Sequence, residues 1–203
     1  MMVETDKLVY GASKKAISKA VDALSLLLGV DVKLRTHEVR VIKPENILEF
    51  IGKNFSAVIG VVSKFEGFIG GYLMLMFDME QAKKLLEIIL NHNLNLPFDE
   101  TSKDFRLDLL REIGNIVAGN LIGEIGNSIK GRLSYTIPEV KPELFPALVD
   151  PLCIDLAMKN FQLLFINSIL SSEIGELQVG IILLLTINRG TAQRRLNLST
   201  HQK

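Results

Sequence analysis

The chain has 203 residues, is 48% hydrophobic, and carries 23 basic and 23 acidic side chains. Zero net charge gives no electrostatic case for binding nucleic acid or an anionic membrane, and the one cysteine, Cys153, excludes an internal disulfide framework. The first residues lack the basic–apolar–small layout of a secretory signal, and the apolar run Val179 to Leu185 falls far short of the ~20 residues of a bilayer span; a soluble, cytoplasmic protein is expected, with core material for one domain or two small halves.

In chain order, Lys7 to Gly29 reads as a helix, with Ala16, Ala20, Ala23, Leu24, Leu27 and Leu28 as its apolar face and Gly29 as its stop. Val30 to Ile42 alternates like a strand, and a short helix is expected over Ile47 to Phe50. Phe55 to Val62 and Tyr72 to Phe77 are strands of an antiparallel hairpin, with Lys64 to Gly71 holding the turn near Glu66-Gly67. Asp78 is the expected N-cap of a helix over Met79 to Leu90. The polar stretch Asn91 to Ser102, with Pro97, reads as a linker, and Asp99 or Thr101 as the cap of the helix that follows.

That helix carries the densest chemistry. Phe105, Leu109, Ile113, Val117, Leu121 and Ile125 recur every four residues and read as its buried stripe. At about 100° per residue, Asp108, Glu112, Asn115 and Gly119 gather on the opposite side. Glu112 and Asn115 are i, i+3 neighbours, so their heads can reach one target. Gly114, Gly119 and Gly123 each cost roughly 1 kcal/mol relative to Ala, so close approach is expected: another helix at Gly114 and a ligand surface at Gly119. A turn and a strand ending at Pro138 follow. Glu139 to Asp155, with Pro142, Pro146 and Pro151, reads as irregular connector. Phe161 to Ile169 and Val179 to Ile187 are strands around a turn near Ser171 to Gly175, and the chain closes on a short helix and a basic tail.

The order helix, strand, Pro-Glu occurs twice, at Pro44-Glu45 and Pro138-Glu139, and strand-to-helix stretches at YLMLMF…EQAKKLL and GIILLLTI…TAQRRL resemble each other. The expected fold class is α+β: two helix–strand–hairpin–helix halves about a pseudo-twofold axis, their first helices adjacent, forming a mainly antiparallel sheet with helices packed on it. The halves run over about 7–92 and 99–196 of one domain.

The spacing Asp108-x3-Glu112-x2-Asn115-x22-Pro138, within EIGNIVAGNLIGEI, resembles the signature of the CheC/CheX/FliY chemotaxis phosphatases. The resemblance implies a CheC-like fold and hydrolysis of the aspartyl phosphate on a CheY-like response regulator. It implies that Asn115 positions the attacking water and that Glu112 contacts the regulator's active-site Lys. Asp108 and Gly119 belong to the regulator-binding surface, and Pro138 is the structural end of the motif. An acyl phosphate is already activated, so a positioned water and a docking contact suffice. No cofactor of its own is implied, and Mg2+ is expected on the regulator. His37, His92 and His201 lack metal-ligand spacing. In the first half the matching positions are Lys14, Ser18 and Val21 before Pro44, so the site there reads as degenerate.

The bland reading of a Glu/Asn pair is a solvated helix face; the full spacing with Pro138 outweighs it. Cys153 reads as a small core residue rather than a nucleophile. The alternative function is a non-catalytic regulator-binding module related to flagellar switch proteins. A CheD-like partner and a homodimer, with the apolar strand Gly180 to Ile187 as its candidate edge, complete the partners the resemblance leaves open.

Overall fold

The computed structural model describes residues 11, 15, 17–26, 29, 31, 33–42, 46, 57–67, 69–91, 95–157, 161–172 and 175–187. The start of the first helix, the short helix expected over 47–50 and the terminal helix lie outside them.

Strands β1 (Lys33–Ile42), β2 (Ala57–Gly67), β3 (Ile69–Asp78), β4 (Leu133–Tyr135), β5 (Glu139–Leu144), β6 (Phe161–Ser172) and β7 (Gly175–Ile187) form one antiparallel sheet. Its order is β1-β6-β7-β3-β2-β4, with β5 also paired to β2. The order reads alike from either edge: a strand, then a hairpin, with the β3–β7 pair at the centre. Each outer strand pairs with the hairpin from the other half of the chain, β1 with β6 and β4 and β5 with β2.

Alternation along the strands sends side chains to two faces. Leu73, Leu75 and Phe77 of β3 join Ile181, Leu183 and Leu185 of β7 beneath three helices: α1 (residues 17–26), α2 (Met79–Ile89) and α3 (Lys103–Ser128). Met74, Met76, Ile182 and Leu184 face the other way, under α4 (Phe145–Ala157), which inserts Phe145, Leu148 and Val149. Each such aliphatic side chain contributes about 1.5–3 kcal/mol by leaving water. The Tyr72 hydroxyl donates to Asp155 of α4 at 2.8 Å; burial first, and then that carboxylate, push its pKa up to about 12.

Several expectations need correction. The segment 64–67 belongs to β2, because Glu66 and Gly67 pair with β4, while the ladder to β3 ends at Phe65 opposite Gly71, around the expected reversal near Glu66-Gly67. Ser102, not Asp99 or Thr101, caps α3, accepting from the Phe105 amide at 3.2 Å, whereas the Asp78 cap of α2 is as expected, accepting from Gln81 at 2.7 Å. The supposed connector after Pro138 is β5 and α4. Pro142 is tolerated because β5 bonds only to β2 on one side, and Pro146 because it lies in the first turn of α4, where amides have no helical partner. Finally, β7 is interior, paired to both β6 and β3, so Gly180 to Ile187 offers no edge for a dimer.

The first helices of the two halves are adjacent, as expected, and an ionic contact joins them. Glu124, on the inner face of α3 and 4% exposed, accepts from Lys19 at 2.5 Å and Lys15 at 2.9 Å on the opening helix. The two lysines, Lys19 foremost, hold its carboxyl below the usual carboxylate range. A carboxyl depressed in the folded state stabilises the protein above its unfolded value and loses that contribution as pH falls through its folded value. Urea unfolding at stepwise lower pH should therefore show wild type and Glu124→Gln converging below the ordinary carboxylate range. A gap that holds constant into acid would mean the ion pairs contribute nothing.

Candidate functional site

Helix α3 lies on the sheet with Leu110, Ile113, Val117, Leu121, Ile122 and Ile125 buried. Phe105 is not part of that stripe: it is 38% exposed. A strict i, i+4 ladder advances about 40° per step at about 100° per residue, so it leaves any one face within a few turns. Ile113, Val117, Leu121 and Ile125 of the expected ladder are buried and Leu109 is half-buried, with Leu110 and Ile122 widening the buried face. The helix closes with Gly131 donating to the Gly126 carbonyl at 2.9 Å and Lys130 to that of Asn127 at 3.1 Å, Lys130 taking a positive φ of 51°.

Asp108, Glu112, Asn115 and Gly119 lie on the outward strip of α3: Asp108 and Glu112 are exposed, Asn115 and Gly119 half-buried. Their side chains differ in what they already hold. Asp108 is paired with Arg111, three residues on, an exposed contact of small energetic weight. Asn120 donates its amide to the Ile116 carbonyl at 2.8 Å. The Glu112 carboxylate and the Asn115 carboxamide have no hydrogen-bond or ion-pair partner among the described residues, and both face solvent. Two unengaged heads three residues apart can meet one external group.

The sheet fixes the base of this strip. Gly114, next to Asn115, is buried against β2, where an added Cβ would overlap Val61 and touch Pro138 at 3.4 Å. The close approach is thus to a strand and a proline, not to a second helix. After β4 ends at Tyr135, Thr136 still donates its amide to the Lys64 carbonyl at 2.8 Å and accepts from the Lys64 amide at 3.1 Å. Pro138 then turns under α3 and is buried, leaving Ile137 76% exposed beside the strip. Gly119 does not border open space: a Cβ there would meet the Tyr135 hydroxyl at 2.9 Å. Tyr135 is absent from the motif, and nothing in its sequence position points to α3.

Other singled-out residues lie elsewhere. Cys153 sits half-buried against the second core, its thiol pushed up by burial. Among the described residues no group of three or more His, Cys, Asp or Glu is placed to hold a metal ion, and no helix is long and apolar enough to cross a membrane.

No protein-family model matches the chain. It is 21% identical over 128 residues to the CheY-P phosphatase CheC of Bacillus subtilis (strain 168), a match covering 63% of this chain and 61% of CheC. The chain thus spans about three-fifths of the length of that relative. The fold matches Thermotoga maritima FliY with a TM-score of 0.67 at 13% identity, covering 100% of this chain and 99% of FliY. The chain resembles the CheC/CheX/FliY proteins, in sequence through CheC and in fold through FliY. The fold is also shared by CheX in the CheX-CheY-BeF3-Mg2+ complex of Borrelia burgdorferi, with a TM-score of 0.54 at 14% identity over 85% of this chain and 97% of that one. The FliM middle domain of H. pylori has the same architecture, with a TM-score of 0.64 at 15% identity over 90% and 92% of the two chains. One fold therefore serves FliY, CheX and FliM alike, so the fold does not by itself say what this chain does.

Proposed function

We propose that this chain is a phosphatase for the aspartyl phosphate of CheY-type receiver domains, acting in chemotaxis signalling in the cytoplasm. The observation that carries the reading is the unengaged Glu112–Asn115 pair on the solvent-facing strip of α3, at the spacing of the family motif. The B. subtilis relative is named as a CheY-P phosphatase, and the Borrelia CheX was crystallised with CheY; both support the same reading.

Glu112, an exposed carboxylate, docks a cation at the receiver's active site. Asn115 holds the water by accepting a hydrogen bond from it at the carboxamide oxygen and donating one to it through the nitrogen. The water oxygen bonds to phosphorus as the acyl P–O bond breaks. The receiver carboxylate leaves, and both protons of the water depart with inorganic phosphate as dihydrogen phosphate. The leaving group is good enough that no strong base is required, and the Mg2+ belongs to the receiver. Asp108, held by Arg111, borders the docking surface.

The chain acts as one domain of two related halves, over about 7–92 and 99–196, with the site only in the second. At the matching places in α1, Ser18 is exposed but Val21 is buried in the core, so no carboxamide could be presented there. The symmetric strand order supports the duplication.

The test is the decay of a phosphorylated receiver with and without the protein. Accelerated release of inorganic phosphate is expected. The shared FliM architecture favours one competing reading, a module that binds the receiver without hydrolysing it. Binding with decay at the receiver's own rate would establish that reading and overturn the phosphatase.

A further inference from the structure

We propose that Tyr135 is a second neutral donor of this site, its hydroxyl meeting the receiver's phosphoryl oxygens beside Asn115; the inference rests on the phosphatase reading. Tyr135 ends β4 directly opposite Phe65 of β2, whose side chain is buried in the core beneath α3, so both residues point to the α3 face of the sheet. The Tyr135 hydroxyl lies over Gly119, where a Cβ would come within 2.9 Å of it. Gly119 follows Asn115 by one helical turn on the same strip, and residues so spaced are about 5–6 Å apart. The ring is 39% exposed, and the hydroxyl has no hydrogen-bond partner among the described residues.

Charge explains why such a group is useful. The phosphoryl group is anionic, yet the strip presents two carboxylates, Asp108 and Glu112, and the guanidinium on the same helix beside them, Arg111, is occupied by Asp108. Neutral donors are what this surface can aim at phosphoryl oxygens: the Asn115 amide and the Tyr135 hydroxyl. A phenol hydroxyl donates well to an anionic acceptor. Gly119 is then explained as the notch that admits the hydroxyl. Because the hydroxyl is the tip of a side chain, a methyl at position 119 displaces it without disturbing backbone.

The experiment uses the full chain and a CheY-type receiver, either unmodified or loaded with beryllofluoride and Mg2+ to mimic the phosphoryl group. Tyr135→Phe keeps the ring and removes the hydroxyl; Gly119→Ala keeps the hydroxyl and displaces it. Both variants are expected to melt no lower than wild type. Both should bind the loaded receiver about tenfold more weakly, the worth of a hydrogen bond to a charged group, while Tyr135→Phe binds the unmodified receiver as wild type does. In turnover, KM should rise with kcat changed much less. Wild-type affinity of Tyr135→Phe for the loaded receiver would overturn the inference, as would equal weakening toward both receiver forms, which would place the hydroxyl against the protein surface. Either result leaves the phosphatase reading standing if wild type still accelerates decay. A wild type that binds the loaded receiver but does not hydrolyse the phosphorylated one would overturn that reading and the inference resting on it.

Discussion

Asn115→Ala is expected to lower the catalysed rate of receiver dephosphorylation by about a hundredfold, the cost of losing control over a reacting group's position, without weakening docking or the fold. The carboxamide makes no hydrogen bond to the described residues, so its removal orphans none of them. Ala is also the better helix former, so the melting temperature should hold or rise. Glu112 remains to engage the receiver, and affinity for a beryllofluoride-loaded receiver should stay near the wild-type value. Asn120→Ala is the matched comparison. Its amide is already donated to the Ile116 carbonyl, and phosphate release should remain close to wild type. Single-turnover release of labelled phosphate, alongside a binding isotherm, measures both properties. Asn115→Ala with the wild-type rate would remove the water-positioning role. A parallel loss of rate and affinity would make Asn115 a docking residue.

The contrast between Asn115 and Asn120 also marks how far the sequence can be read. Both are asparagines on one helix, and only the family spacing separates them before the fold is seen. What engages each of them depends on side-chain geometry, to which spacing is blind. The strands were legible where alternation meets a two-sided core, as in β3, where Leu73 and Leu75 go to one face and Met74 and Met76 to the other. The cap at Asp78 was legible because its partner lies three residues away. The segment from Glu139 to Ala157 was not, because Pro142 is permitted by an edge strand and Pro146 by a first helical turn, while Pro151 stands inside the helix against its local preference, and being at an edge is a tertiary property. Glu124 was hidden for the related reason that a carboxylate inside an apolar stripe breaks the periodic rule until the lysines of the opening helix are seen to meet it. Tyr135 was hidden because the notch and the side chain that fills it are separated by a turn, and no local pattern links them.

Gly114→Ala is expected to damage the site through the sheet beneath it. The new methyl would overlap Val61 on β2 and press Pro138. Val61 is 2% exposed and β-branched, so its χ1 has little freedom to yield. Overpacking of this kind costs about 1–3 kcal/mol, offset by roughly 1 kcal/mol of gained helix propensity. The net loss of stability is therefore modest, about 0–2 kcal/mol by those two magnitudes. The larger consequence is geometric: α3 lifts next to Asn115, and a displacement of about 1 Å in a positioning group lowers turnover by about a hundredfold. Val61→Ala clears the overlap, since it removes the methyl that the new side chain at position 114 would strike. Alone it costs about 1–2 kcal/mol in lost burial, but in the double variant one methyl occupies the space vacated by another. The two substitutions should couple favourably by about 0.5 kcal/mol or more, and the double variant should recover turnover that Gly114→Ala loses. Urea unfolding and phosphate release on all four proteins complete the cycle. Strictly additive stabilities with no recovery of turnover would show that contact with β2 does not set the position of Asn115.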